Sequence, residues 1–295
     1  MSDLRLGVIC DGISRDLTHA LDVMAEFGLT EAELQFVGDA EVGDHDAAQV
    51  DAMRAALAAR GARVSCLSRH VLAGTTVADR PGDARHAAHM AALDRVIDLS
   101  QSLAGPAGPP LVRIMTPKKE AILFGSHGAE VWNVAAGAWD ATLALVAPLV
   151  DRARERDALL VVETGNGTMV NSAWTARRLI DDLGAGDVLG VLWDPANACW
   201  THERAYPDAY DVLADGYLGH VHLKDVHVDT PRATLEVRPF GRGDLGGQLW
   251  QIGAALRRDG YAGAVSLESV FHPGDGDFEA GFRMCVGPFL DAMRG

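Results

Sequence analysis

Residues 159–194 read LLVVETGNGTMVNSAWTARRLIDDLGAGDVLGVLWD, and they contain one complete strand–helix–strand unit. Two apolar runs, Leu159–Glu163 and Val188–Asp194, each end on a carboxylate. The amphipathic segment Ser172–Leu183 lies between them and has the spacing of a helix. Strands that alternate with helices form right-handed crossover units, so the two runs are predicted to be parallel strands of one sheet.

The same alternation continues in both directions along the chain. The Pro/Gly-rich segment 105–110 is interpreted as a loop between a helix and a strand, so residues 1–295 are predicted to form a single domain. Eight strand–helix units in a chain of 295 residues predict an α/β protein, and they favour a closed (β/α)8 barrel over an open sheet. The predicted strands are Leu4–Cys10, Ala32–Val37, Arg63–Ser68, Leu111–Met115, Leu159–Glu163, Val188–Asp194, Leu218–Lys224 and Ala264–Ser269, and the sixth helix is predicted at Tyr206–Ala214.

Charge and composition narrow the classes of partner. The chain has 26 Lys and Arg against 41 Asp and Glu, a net charge of −15. Nucleic acids and anionic membrane surfaces bind cationic proteins, so neither is predicted as a partner. No apolar run approaches the roughly 18 residues of a membrane span, and the first residues lack the apolar stretch of a signal peptide. The four cysteines are scattered, without a C-x-x-C pair, which is typical of a cytoplasmic protein with reduced thiols.

Four consecutive predicted strands end on residues that bind metals. Glu163, Asp194, His222 and Glu268 come from the fifth to the eighth strand. The carboxyl ends of barrel strands meet at one face, so these side chains are expected to converge there. Without a cation, three carboxylates and an imidazole in one pocket would repel one another. Such a set of oxygen and nitrogen ligands suits one Mn²⁺, Mg²⁺, Co²⁺ or Zn²⁺ ion. The alternative, a polar strand end that caps the next helix, explains each residue singly but not four in succession.

The seventh strand carries the sequence Gly-His-Val-His-Leu-Lys-Asp at 219–225. Side chains alternate along a strand, so His220, His222 and Lys224 share one face. His222 is the predicted ligand because it lies nearer the strand end. His220 lies one layer deeper, where it either contacts substrate or is a core histidine. Lys224 is predicted at the rim, where it binds an anionic oxygen of the substrate or orders the loop through a salt bridge.

The four strand-end residues, the His-Val-His-Leu-Lys-Asp motif and Glu33 in Ala-Glu-Leu together resemble the xylose isomerase-like TIM-barrel superfamily. The resemblance extends over nearly the whole chain. It implies an enzyme of carbohydrate metabolism, such as a sugar isomerase, an epimerase or a dehydratase, in a dimeric or tetrameric assembly. Asn197 stands where some members have a substrate-binding histidine, and Lys224–Asp225 replace the Gly-Glu of ketose 3-epimerases. The second difference speaks against a free-ketohexose 3-epimerase.

The predicted site supports proton transfer next to a carbonyl group. A divalent ion that holds a ketone oxygen and a neighbouring hydroxyl makes the intervening C–H more acidic by stabilising an enediolate. Glu163 and Glu268 are predicted to remove and return the proton, which gives a metal-dependent isomerase or epimerase of a sugar, polyol or oxo-sugar. A dehydratase of a keto-cyclitol or 3-oxo-sugar is the alternative, and a catalytically silent ligand-binding barrel is a third reading.

Other polar residues are predicted to bind the substrate. Gly241–Gly246 matches the G-x-G-x-x-G pattern, but it does not directly follow a strand, so NAD binding is not predicted. The predicted substrate-binding residues are Asn197, Lys224, His220, Arg238, Arg113 and His70.

Overall fold

The computed structural model describes residues 3–106, 108–119, 137–274 and 276–295. Eight parallel strands close into a barrel in sequence order, with β1 paired to both β2 and β8. This arrangement confirms the predicted (β/α)8 barrel. The strands are β1 Arg5–Ile9, β2 Glu31–Leu34, β3 Arg63–Val71, β4 Leu111–Ile114, β5 Leu160–Glu163, β6 Leu189–Trp193, β7 Leu218–Leu223 and β8 Ala264–Leu267.

A helix follows each strand. Acidic and hydroxyl side chains cap several helix N-termini; Asp46, for example, accepts a hydrogen bond from the Gln49 backbone N–H at 2.8 Å. None of the helices in the described part of the chain combines the length and the apolar character that a membrane crossing needs. The helices are α1 Leu17–Glu26, α2 Ala47–Ala59, α3 Ala84–Ser102, α4 Ala138–Glu155, α5 Ala173–Leu183, α6 Tyr210–Leu213, α7 Gly247–Arg258 and α8 Phe278–Arg294.

The barrel strands are apolar because both of their faces are covered. All four residues of β5 and all four of β8 are buried. Inside the barrel, small residues let two strands approach closely. A Cβ atom on Gly190 would lie 3.1 Å from the Cα of Gly219, so a side chain at Gly190 would move β6 and β7 apart by a few tenths of an ångström.

Two predicted elements adopt a different structure over part of their length. The second strand was predicted to run to Val37, but β2 ends at Leu34, and Phe36–Val37 instead pairs with Ala40–Glu41 in a small antiparallel hairpin. The sixth helix was predicted at Tyr206–Ala214, but only Tyr210–Leu213 is α-helical after a wider turn. Tyr206 is extended because the following Pro207 disfavours helical backbone at the preceding residue.

The segment after β7 forms a second antiparallel hairpin and a glycine-rich loop. Asp225–Asp229 pairs with Thr234–Arg238, and the loop then returns to the strand end. The buried carboxylate of Asp225 accepts backbone hydrogen bonds from Gly243 at 2.8 Å and Leu245 at 3.1 Å. The G-x-G-x-x-G segment is therefore fastened to the barrel by a carboxylate.

Candidate metal centre

The structure brings together the four side chains that the sequence predicts as metal ligands. One potential ligand atom from each of Glu163, Asp194, His222 and Glu268 lies within 4.8 Å of the others. Glu163 is the last residue of β5, Asp194 and Glu268 directly follow β6 and β8, and His222 is the penultimate residue of β7. Parallel strands and closure of the barrel thus place four residues from four elements at one end.

The orientation of His222 fits a metal-binding role. Its Nε2 lies 2.7 Å from Glu33 Oε1, and its Nδ1 lies 3.6 Å from Glu268 Oε2. The ring is fully buried, and Nδ1 has no hydrogen-bond partner among the described residues. Metal-binding histidines commonly direct one nitrogen to a carboxylate and the other to the ion. The residues present therefore fit a divalent cation, with Nδ1 as the imidazole ligand atom.

Glu33 is part of the site, although the sequence identifies it only through the resemblance. Its fully buried carboxylate also lies 2.7 Å from His220 Nε2 and accepts a hydrogen bond from the hydroxyl of Ser68. Burial opposes ionisation, but the two neighbouring histidines outweigh it and hold the pKa of Glu33 well below its usual range. β2 carries two glutamates, Glu31 and Glu33, and all four of its residues are buried, so the sequence alone did not single out Glu33.

Lys224 lies among the carboxylates. Its Nζ donates a hydrogen bond to Asp194 and another to Glu268 Oε2 at 2.5 Å. Burial disfavours the ammonium form, but the two carboxylates outweigh burial and raise the pKa of Lys224. The ammonium therefore supplies positive charge at the point where the three carboxylates converge. Of the two roles that the sequence left open, this contact corresponds to a salt bridge.

Two predicted substrate-binding residues bind Glu163 in this structure. Arg113 Nη1 donates to Glu163 Oε2 at 3.0 Å, and its Nη2 donates to the carbonyl of Ser68 at 2.5 Å. Asn197 Nδ2 donates to Glu163 Oε1 at 3.3 Å and to the carbonyl of Thr164 at 3.1 Å. Both side chains therefore fix the position of the Glu163 carboxylate.

A cavity of about 770 Å³ opens over this centre. Glu163 and Glu268 form part of its wall, together with Arg113 and His70. The His70 ring is held by Glu41, whose Oε1 lies 2.7 Å from Nδ1. The volume lies within the range of about 300–1,000 Å³ that small-molecule sites occupy.

His220 and Arg238, both predicted to bind substrate, lie away from the cavity wall. His220 lies beneath the cavity, fully buried, and its Nε2 is shared between Glu33 and Ser266. The alternation along β7 places it one layer below His222, so it is a core histidine. Arg238 donates to Glu236 Oε2 at 2.5 Å on the hairpin and does not line the cavity. The antiparallel pairing of that segment places Arg238 opposite Asp225 rather than at the cavity wall.

The family comparison covers most of the chain. The sequence model of the xylose isomerase-like TIM barrel family matches residues 21–285. No curated protein matches the chain in sequence.

Solved structures share the barrel over nearly its full length. A xylose isomerase-like TIM barrel protein from Mycobacterium smegmatis in complex with magnesium has a TM-score of 0.62 and 18% identity, over 94% of this chain and 89% of that one. D-Psicose 3-epimerase from Clostridium cellulolyticum H10, with D-tagatose, has a TM-score of 0.66 and 15% identity, over 99% and 97%. A probable 3-DHS dehydratase from Bacillus anthracis has a TM-score of 0.67 and 13% identity, over 94% and 97%. At these identities the likeness establishes the fold.

Proposed function

Because the chain belongs to the xylose isomerase-like TIM barrel family, we propose that it is a divalent-metal-dependent isomerase or epimerase of a sugar, polyol or oxo-sugar. The observation that carries the proposal is the double role of Glu163 and Glu268. Both carboxylates belong to the convergent cluster, and both border the open cavity. They are therefore accessible to a substrate that reaches the metal centre.

Glu163, Asp194, His222 and Glu268 are the residues that would hold the ion. A divalent cation supplies Lewis acidity, which polarises a substrate carbonyl and lowers the pKa of the adjacent C–H group. The neighbour from Mycobacterium smegmatis, described in complex with magnesium, supports this class of ion. Mn²⁺, Co²⁺ and Zn²⁺ are the other candidate ions, since carboxylate ligands suit Mn²⁺ and an imidazole ligand suits Zn²⁺.

The chain's own residues would carry the proton. Glu163 and Glu268 come from strands that are separated by β6 and β7, so they approach the cavity from different sides. One of the two groups, as the carboxylate, removes the proton to give the enediolate. The other, as the carboxylic acid, gives its own proton to the opposite face, which inverts the carbon. Arg113 and Asn197 fix Glu163, and Lys224 fixes Glu268. Asn197 has no titratable group, so it can orient Glu163 but cannot transfer a proton.

A dehydratase is the second candidate, and the position of Lys224 favours it. Its ammonium is bonded to Glu268, which borders the cavity, and its positive charge can stabilise the negative charge that develops as a hydroxyl leaves the carbon next to the enediolate. The structural neighbour from Bacillus anthracis, a probable 3-DHS dehydratase, supports the same alternative. A barrel that binds a ligand without catalysing a reaction is the third hypothesis, and the complete set of four candidate metal ligands argues against it.

The test is solvent exchange in a panel of keto-sugars and keto-cyclitols. The protein is loaded with Mn²⁺ or Mg²⁺ in D₂O, and carbon-bound deuterium is followed by mass spectrometry. Deuterium incorporation with inversion supports the epimerase, whereas loss of water with an unsaturated product supports the dehydratase. Metal binding with neither reaction supports the binding role.

Glu163→Gln is expected to abolish this exchange and to leave the fold intact, because an amide cannot accept the proton. Glu236→Gln, on the exposed hairpin, is the matched control and is expected to retain full exchange. Retained exchange in Glu163→Gln would remove Glu163 from its role as the base.

A further inference from the structure

Besides Nε of Arg113, whose side chain fixes Glu163, the cavity wall contains two buried polar atoms that lack a partner in the described part of the chain and that the catalytic scheme does not use. Asp11 Oδ1 and Ser269 Oγ have no hydrogen-bond partner among the described residues, and both side chains line the cavity. Buried polar atoms are nearly always hydrogen-bonded, because an unpaired one loses its hydration without compensation. Partners for these two atoms are therefore expected from a molecule within the cavity.

The fold builds this part of the wall from adjacent strands. Asp11 lies in the short turn Cys10–Gly12 that follows β1, and Ser269 lies two residues after β8, its neighbour in the barrel. A Cβ atom on Gly12 would lie 2.7 Å from the carbonyl oxygen of Ser269. The turn is thus packed directly against the segment after β8. Ser269 is only 4% exposed, so the surrounding packing holds its hydroxyl in a fixed position in the cavity wall.

The chemistry of the two groups selects the class of ligand. An ionised carboxylate only accepts hydrogen bonds, and a serine hydroxyl both donates and accepts. The matching groups on a ligand are hydroxyls, which donate to Asp11 and exchange hydrogen bonds with Ser269.

Charge on the same wall disfavours an anion. Away from the metal centre, the described lining carries the carboxylates of Asp11, Asp277 and Glu279 and one guanidinium, that of Arg15. Glu279 is already bonded to His19 Nε2 at 2.7 Å and to Arg283 Nε at 2.8 Å, so the excess is that of Asp11 and Asp277 over Arg15. A phosphate or carboxylate on the substrate would meet excess negative charge at this wall.

We propose that Asp11 and Ser269 form a subsite for the hydroxyl groups of an uncharged polyhydroxylated substrate, and that the cavity discriminates against its phosphate ester. The subsite binds the end of the substrate that does not react, while the reacting carbonyl lies at Glu163 and Glu268. The inference rests on the proposed function and adds the class of substrate to it. The cavity of about 770 Å³ has room for both ends of such a molecule.

The test is calorimetric binding to the Mg²⁺-loaded full chain. The probes are D-tagatose, D-allulose, D-fructose and myo-inositol, each paired with its monophosphate. At least one neutral compound is expected to bind roughly tenfold or more tightly than its phosphate ester, a difference that one unpaired charge contact can produce. The proposal is overturned if no neutral probe binds. It is also overturned if the phosphate esters bind more tightly than the neutral probes and this binding is lost in Arg15→Gln.

Two variants locate the subsite. Asp11→Asn is expected to weaken binding of the best neutral probe about tenfold or more, because the amide offers one uncharged acceptor in place of the carboxylate. Ser269→Ala is expected to weaken it about two- to tenfold, because the hydroxyl is removed. Asp51→Asn, the same substitution at an exposed position of α2, is the matched control and should bind the probe normally. Unchanged affinity in both Asp11→Asn and Ser269→Ala contradicts the proposal. Unchanged Mg²⁺ affinity in the variants shows that they fold.

Failure of this inference is distinguishable from failure of the proposed function. Neutral-probe binding that depends on Asp11, but without deuterium exchange in any probe, leaves the subsite standing and removes the proposed reaction. Deuterium exchange confined to the phosphate esters removes the subsite proposal and leaves the proposed reaction standing. In an active protein, Asp11→Asn is expected to raise KM with little change in kcat, because contacts with the unreactive end bind substrate and transition state alike.

Discussion

Glu33 joins two imidazole rings in the interior of the barrel, and this single carboxylate orients the candidate metal ligand His222. The bond from His222 Nε2 to Glu33 Oε1, at 2.7 Å, leaves Nδ1 directed at the carboxylate cluster. A neutral imidazole that donates through Nε2 has its lone pair on Nδ1, which is the form that a metal ion binds. The residue thus acts on the ion through His222.

Glu33→Gln is expected to lower metal affinity by about 10- to 100-fold, the effect of removing a hydrogen-bonding partner of a metal ligand. The two histidines contact different oxygens of the carboxylate, so the amide keeps an acceptor at the position of only one of them. Competition with a fluorescent chelator measures the affinity. Glu236→Gln, on the hairpin, is the control, and equal affinity in the two variants would contradict the role of Glu33.

His222→Ala is expected to lower metal affinity at least about tenfold and by more than Glu33→Gln, because a ligand atom itself is removed. The same chelator competition measures it. Unchanged metal binding would exclude His222 as a ligand, and circular dichroism of the variant separates that result from unfolding.

At the scale of elements, the loops after the strands decide the shape of the site. The glycine-rich loop between the second hairpin and α7 returns to the end of β7 because Asp225 binds its backbone N–H groups. Gly243 makes this approach possible, since a Cβ atom there would lie 2.4 Å from Asp225 Oδ1 and from the Val226 carbonyl oxygen. The loop therefore tolerates no side chain at this point.

Gly243→Ala is expected to lower the free energy of unfolding by about 1–3 kcal/mol, the usual cost of overpacking. Urea denaturation measures the difference. Gly247→Ala is the matched control, because a Cβ atom there meets nothing within 4 Å and the residue starts α7. Equal stability of the two variants would show that the loop relaxes around the added methyl group.

At the scale of the whole molecule, eight strand ends meet at one face, and negative charge gathers there. Three of the four candidate ligands are carboxylates, and the positive charge of Lys224 faces two of them, Asp194 and Glu268. A bound divalent ion is expected to stabilise the entire barrel, because β5 to β8 each contribute a ligand.

Metal loading is expected to raise Tm. An ion at 100 times its Kd stabilises the folded state by about 2.7 kcal/mol, which corresponds to a rise of roughly 4–5 °C for a domain of this size. Differential scanning calorimetry with added Mn²⁺, followed by a chelator that reverses the shift, measures it. An equal shift in His222→Ala would show that the ion binds elsewhere.

The sequence by itself determined the order of strands and helices, the closed barrel, and the face at which Glu163, Asp194, His222 and Glu268 meet. These features follow from local rules, since apolar periodicity identifies each element and parallel strands place their carboxyl ends together. Element ends were less accurate where a tertiary contact competes, as at the Phe36–Val37 hairpin. The wide turn before α6 could be predicted from the sequence, because Pro207 disfavours helical backbone at the preceding residue.

Only the tertiary structure decided which atoms touch. Glu33 and His222 are 189 positions apart, and no local pattern shows that one orients the other. The same holds for Arg113 and Asn197, which bind Glu163, and for Lys224, which lies among the carboxylates. These contacts depend on distances of a few ångströms between separate strands. The closed packing of the whole barrel sets such distances, while periodicity along the chain specifies only which face each residue occupies.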